Sequence, residues 1–120
     1  MELETILEPA IRYAEEGFPV SQIIAGHWKG SESLLQSTPT ASHGFLKNGR
    51  APAEGERMTN RDLAAVYRAI GGKGAREFYE GWIAEEMVRY SESVGGLITM
   101  EDLKRHTSEW IEPVSTNYRG

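Results

Sequence analysis

Residues 7–21 read LEPAIRYAEEGFPVS, and the fold turns on how this stretch is read. With the residues just before it, Leu3, Ile6, Leu7, Ala10, Ile11 and Ala14 recur at spacings of three and four. That spacing puts them on one face of an amphipathic helix ending before Gly17. Pro9 interrupts it, because proline has no amide hydrogen and clashes with the preceding turn; the helix is expected to start near Glu8 or to bend there. Gly17 is the residue type that closes a helix in a left-handed conformation, and Pro19 keeps it from resuming.

Working outward, Ser21 is an N-cap candidate for a second helix carrying Ile23, Ile24, Trp28, Leu34 and Leu35 to about Gln36. From Ser37 to Arg57 the apolar period disappears and Pro39, Gly44, Gly49, Pro52 and Gly55 supply turn signals, so residues 37–57 are expected to form one long variable loop. Asn60 caps a third helix with Leu63, Val66, Tyr67 and Ile70 as its stripe and Gly71–Gly72 as its end. A fourth begins near Gly74 or Ala75, with Phe78, Tyr79, Trp82, Ile83, Met87 and Tyr90 as the richest apolar face of the chain. Gly81 within it marks a break or a close backbone approach. Gly95–Gly96 terminates that helix, and Leu97 is placed for the apolar contact that accompanies such an end. TMED at 99–102 resembles a capping box ahead of a short helix from Leu103 toward His106. The end, WIEPVSTNYRG at 110–120, is β-branched and aromatic around Pro113 and suits an extended edge segment. The expected fold class is mainly α: one small helical domain over 1–120, with about four to five helices and an extended C-terminal segment.

Composition narrows the function. Eighteen acidic residues against thirteen basic ones give the 120-residue chain a net charge of −5 and leave no basic stripe, which disfavours nucleic acid as a partner. Without cysteine the chain has no disulfide, no thiolate nucleophile and no thiolate metal ligand. No apolar run reaches membrane-spanning length, and the MELETILE start lacks the basic and apolar parts of a signal peptide. No membrane partner and no cofactor are expected.

Each cluster of chemistry-bearing residues has a structural explanation. Thr40, Ser42 and His43 are residue types from which nucleophile–base pairs are made. They are neighbours in a polar loop without an acid close by in sequence, and read as a solvated turn. His27, His43 and His106 are too dispersed for a metal motif. Glu15–Glu16, Glu85–Glu86 and Glu101–Asp102 are helical neighbours that diverge by about 100° around the axis, so neither member shares a proton with the other. GGKG at 71–74 follows a helix rather than a strand and does not make a phosphate loop. No catalytic, substrate-binding or metal-binding residue is assigned.

Five blocks nevertheless resemble one family in order and spacing: LEPAIRYAEEGFPVS (7–21), NRDLA (60–64), GAREFYEGWIA (74–84), GGLITMEDL (95–103) and EPVSTNYRG (112–120). The chain is identified by them as a member of the gamma-glutamyltransferase family, also called gamma-glutamyl transpeptidase or glutathione hydrolase. The resemblance implies an N-terminal-nucleophile hydrolase of αββα fold, whose precursor cleaves itself to expose a threonine at the start of a small subunit. That threonine attacks the gamma-glutamyl amide, its amine serving as base. The matching blocks belong to the helical middle of the large subunit only.

The resemblance also implies what this chain lacks. The nucleophile and an oxyanion-stabilising Gly-Gly pair lie downstream of such a segment, and the substrate-binding arginine lies upstream. Gly95–Gly96 matches a structural pair, Thr99 matches a helix cap, and none of Thr5, Thr38, Thr40, Thr59, Thr99, Thr107 and Thr116 matches the nucleophile. His106 stands where the family more often has Tyr. Residues 22–57 depart from the family pattern and leave the substrate open. The chain is thus expected to be an inactive fragment of a gamma-glutamyl-transferring or -hydrolysing parent, partnered by the remainder of that parent. A free-standing, self-associating helical module and a fragment of a related amidase, cephalosporin-acylase-like or oxamate-amidohydrolase-like, are the alternatives. A periplasmic or secreted parent is implied by the resemblance alone.

Overall fold

The computed structural model describes residues 2–120. In chain order the elements are α1 (Leu3–Glu16), β1 (Phe18–Pro19), α2 (Gln22–Gly30), α3 (Glu32–Gln36), α4 (Pro39–Phe45), β2 (Arg57–Met58), α5 (Arg61–Lys73), α6 (Ala75–Glu80), α7 (Trp82–Ser93) and α8 (Met100–Arg105). The class is mainly α, as expected, but the helices are more numerous and shorter than four or five. They gather into two compact units, one up to Phe78 and one from Tyr79 to Gly120.

The first unit is organised by α1 against α5. Buried Ile11 and Ala14 meet buried Ala64, with Leu7 and Tyr67 packed around them. Two alanines at the centre let the helices approach closely, and interhelical distance follows the side chains at the contact. The pair is antiparallel: Asn60 N donates to Ala14 O at 2.7 Å at one end, and at the other a Cβ on Gly71 would lie 3.2 Å from Glu4 Cα. Gly71–Gly72 therefore does not end α5. The helix runs on to Lys73, and Gly74 closes it at φ 78° with its amide on Ile70 O. Asn60 caps its start as expected, Oδ1 accepting from Leu63 N at 2.9 Å.

Helix α1 passes through Pro9 rather than starting after it. Pro9 is exposed, so the carbonyl left without its amide partner can turn to water. At the other end Gly17 has φ 86°, and its amide donates to Tyr13 O at 3.0 Å. The chain then enters a two-residue antiparallel pairing, Phe18 opposite Met58 and Pro19 opposite Arg57. Val20 extends it, its amide on Glu56 O at 3.0 Å and its carbonyl accepting Gly55 N at 2.8 Å.

The second helix expected from Ser21 to Gln36 is divided at Ser31 (φ −97°, ψ 0°), which closes α2 and opens α3. Ser21 occupies the N-cap position of α2 without a side-chain cap bond. The expected loop 37–57 is partly helical. Thr38 is extended, Pro39 supplies the first turn of α4, and Ser42 N donates to Thr38 O at 2.8 Å. Beyond α4, Lys47 and Arg50 face each other across Asn48 (φ 53°) and Gly49 (φ 77°), a turn with two positive φ values.

In the second unit Gly81 separates α6 from α7 as expected, with φ −95° and ψ −163°. The break interrupts the helix, and the expected stripe is not uniformly buried within α7. Ile83 and Ala84 are buried, while Trp82 and Tyr90 are exposed. The end of α7 is a Schellman motif: Gly96 N donates to Ser91 O at 2.7 Å and Gly95 N to Glu92 O at 3.1 Å, with Gly95 at φ 75°. The apolar contact expected of Leu97 is absent, since Leu97 is 89% exposed. Ser91 occupies the site instead, its Oγ accepting Ile98 N at 3.2 Å. Thr99 and Asp102 form the expected capping box, and α8 starts at Met100. Residues 106–120 have no regular secondary structure; the edge segment predicted there forms no strand, because a strand needs a paired neighbour.

Candidate functional site

The Thr40–Ser42–His43 cluster lies on α4 rather than in a loop, and the fold supplies an acid that sequence distance concealed. Asp62, in the first turn of α5, places Oδ2 3.4 Å from His43 Nε2. Pro39, Thr40, Asn60, Leu63 and Val66 line the surrounding depression. Both members of the pair are about four-fifths exposed, 80% and 81%. Water therefore screens their attraction, and nothing excludes solvent from a reacting carbonyl. This is an acid–base pair without the desolvated setting that makes such a pair reactive.

Beside it is a more enclosed cavity of about 350 Å³, lined chiefly by Tyr13, Phe18, Trp28, Phe45, Leu63 and Tyr67. It is mostly apolar and carries no charged lining residue, so it suits a hydrophobic group and offers no charged side chain to one.

The strongest electrostatics lie in the segment after α4. Glu56 accepts from Arg50 Nη1 at 2.9 Å and Nη2 at 3.2 Å, from Ala53 N at 2.9 Å, and pairs with Lys47 Nζ at 3.0 Å. The Arg50 guanidinium first, then the Ala53 amide and the Lys47 ammonium, hold its carboxyl down at about 2. Glu32 accepts from Lys29 Nζ and from Ala51 N, both at 2.7 Å, and its carboxyl is lowered by Lys29 and then by that amide. These acids are held charged and fully bonded, the opposite of a catalytic acid poised to exchange a proton. They brace the chain. KNGR at 47–50 is the sequence signal that reports this turn.

The remaining candidates lie in ion pairs, caps and ring contacts. Glu15 grips Arg68 through two bonds of 2.6 Å between α1 and α5. Glu86 pairs with Arg89, Glu101 with Arg105 at 2.7 Å, and Asp102 with the Thr99 hydroxyl. GGKG lies at the end of α5, where Lys73 Nζ reaches Glu77 at 3.1 Å. His106 stacks on Tyr79, ring centroids 5.0 Å apart, and His27 borders a shallow groove with Trp28. Among the described residues no group of three or more His, Cys, Asp or Glu side chains could hold a metal ion, and no helix is long and apolar enough to cross a membrane.

Comparison with known proteins accounts for the five sequence blocks. The family model described as gamma-glutamyltranspeptidase matches residues 1–120. The glutathione hydrolase-like YwrD proenzyme of Bacillus subtilis (strain 168) is 41% identical over all of this chain, which corresponds to 23% of that protein. The glutathione hydrolase proenzyme of Escherichia coli (strain K12) is 34% identical, again over all of this chain and 21% of its own length. The chain thus spans less than a quarter of these curated relatives. The crystal structure of Helicobacter pylori gamma-glutamyltranspeptidase superposes on the whole chain with a TM-score of 0.94 at 32% identity, covering 35% of that structure. Cephalosporin acylase from Bacillus halodurans does so with a TM-score of 0.90 at 36% identity, covering 24%. Matched from end to end in sequence, and superposed from end to end on a solved relative, the chain belongs to the gamma-glutamyltranspeptidase family.

Proposed function

We propose that this chain is the helical large-subunit part of a gamma-glutamyl transferase or hydrolase, that it acts as scaffold, and that it has no turnover of its own. The observation that carries this reading is the coverage: the whole chain is accounted for by 23% of a glutathione hydrolase-like proenzyme. The geometry agrees with it, because the His43–Asp62 pair is solvated and Glu56, the acid held most firmly in its charged form, is locked in ion pairs. The nucleophile and the substrate-binding cation would come from the rest of the parent, whose small subunit is the expected partner. Release of p-nitroaniline from gamma-glutamyl p-nitroanilide by the purified chain tests the reading. The expected rate is that of the blank; turnover abolished by His43→Ala or Thr40→Ala would overturn it.

A second reading is favoured by the superposition on cephalosporin acylase, at higher identity than on the Helicobacter pylori enzyme. The parent would then be an amidase acting on a bulkier acyl group. Joining these 120 residues to the remaining sequence of its source gene and comparing gamma-glutamyl p-nitroanilide with a glutaryl-cephalosporin separates the two.

A further inference from the structure

We propose that Asn48 is a site of spontaneous deamidation and that the Lys47–Arg50 turn, clasped by Glu56, gates the reaction. KNGR at 47–50 sets an asparagine directly before a glycine. With no Cβ on Gly49, nothing beside its amide nitrogen hinders attack on the Asn48 side chain, and among the described residues that amide donates no hydrogen bond. In the reaction the Gly49 nitrogen gives up its proton and bonds to Asn48 Cγ, while the bond from Cγ to the side-chain nitrogen breaks and ammonia leaves. Water then opens the five-membered imide at either carbonyl. The product is aspartate or isoaspartate at position 48, with no change of oxidation state.

The closed turn forbids the ring closure. Positive φ values of 53° and 77°, between Lys47 N donating to Arg50 O at 2.8 Å and Arg50 N donating to Lys47 O at 3.2 Å, make a type I′ hairpin turn. The first central residue of such a turn has ψ of about +30°, which sets Asn48 Cβ and the Gly49 nitrogen about 150° apart around the Cα–C bond. The imide needs them nearly eclipsed. The peptide unit must therefore swing round, and both Lys47–Arg50 bonds must break first. Further contacts resist this: Gln36 Nε2 donates to Gly49 O at 2.8 Å, and Glu56 takes both Arg50 bonds and Lys47 Nζ at 3.0 Å. One carboxylate thus holds the residues on either side of the turn. Reaction proceeds only from the opened turn, at the opening equilibrium multiplied by the rate in an unrestrained chain. Either product leaves a carboxylate between Lys47 and Arg50, and isoaspartate adds a backbone atom that misaligns the pair. Each opening that reacts is recorded permanently.

Glutamate-specific proteolysis releases residues 33–54, in which Asn48 is the one asparagine, so mass spectrometry of that peptide reads the gain of about 1 Da. At neutral pH the urea-unfolded chain should react roughly tenfold or more faster than the folded chain. Glu56→Gln, with its helical circular dichroism retained, should react roughly three to ten times faster than the parent. Gln36→Ala, which frees only Gly49 O, should also be faster, and it carries the same test should Glu56→Gln fail to fold. Glu101→Gln, whose partner Arg105 lies on α8, should keep the parent's rate. A folded parent as fast as the unfolded chain, an unfolded chain that does not react, or both turn variants at the parent's rate would overturn the proposal. The reaction needs no gamma-glutamyl chemistry, so failure here and failure of the proposed function are separately visible.

Discussion

Gly17→Ala should be among the most damaging single-methyl additions in this chain. Two independent costs converge on it. At φ 86° an alanine enters a region that L-residues occupy at a cost of about 1–2 kcal/mol. Its Cβ would also lie 2.6 Å from Arg57 Cγ, 2.7 Å from Met58 O and 2.8 Å from Thr59 Cγ2. The arginine carbon can move. The Met58 carbonyl cannot move cheaply, because Met58 pairs with Phe18 and Asn60 N is bonded to Ala14 O at 2.7 Å. Forcing a methyl into such a place costs roughly 1–3 kcal/mol, giving about 2–5 kcal/mol together. That is a large share of the about 5–15 kcal/mol by which domains are stable. Urea unfolding followed by circular dichroism should show a lower midpoint with an unchanged slope. Gly26→Ala is the control, since nothing lies within 4 Å of its added carbon; in the body of α2 it should stabilise by up to about 1 kcal/mol. A Gly17→Ala midpoint equal to that of the parent would refute the reasoning.

Other positions give further tests. In α5, Gly72→Ala should stabilise by up to about 1 kcal/mol, whereas Gly71→Leu, aimed at Glu4 Cα 3.2 Å from the first added carbon, should destabilise by roughly 1–3 kcal/mol; thermal unfolding of both checks the pair. At the end of α7, Gly95→Ala should lower stability by about 1–2 kcal/mol for its left-handed conformation, and Gly96→Ala should do so through collision with Ser91, read by amide exchange at Ile98. For Glu56 the folded carboxyl sits at about 2 against an ordinary 4.5, so its contribution is complete above about 4.5 and is lost as pH falls toward 2. Urea midpoints between pH 6 and pH 2 should fall through that window less steeply in Glu56→Gln than in the parent.

Much of the fold was legible where a residue acts on its own neighbours. Asn60, the Thr99–Asp102 box and the Gly81 break each work within about one helical turn, and sequence shows them directly. What failed was what depends on distant partners. Helix α4 has its start signal in Thr38 and Pro39, but seven residues with Gly44 among them show no apolar period. The strands β1 and β2 have two residues each, too few for alternation to be seen. Gly71 and Gly72 looked like a terminator because their reason for being glycine, at Gly71, is the backbone of another helix. At the candidate site, Asp62 lies nineteen positions from His43, so only the fold, which brings the start of α5 to α4, reveals the pair. The tail composition suits an extended segment, and residues 106–120 form no strand among the described residues.

The β1–β2 fastening has an evolutionary consequence. Everything between Val20 and Glu56 leaves and returns at one spot, where Val20 is bonded to both Gly55 and Glu56. Such an excursion behaves as an exchangeable cassette. Its ends are fixed by hydrogen bonds that belong to the frame, and doubling the length of a flexible insert adds only about 0.6 kcal/mol of closure entropy. Residues 20–56 can therefore be lengthened, shortened or swapped between relatives while α1 and α5 keep their seat. This gives a lineage a surface to vary without rebuilding the helix pair beneath it.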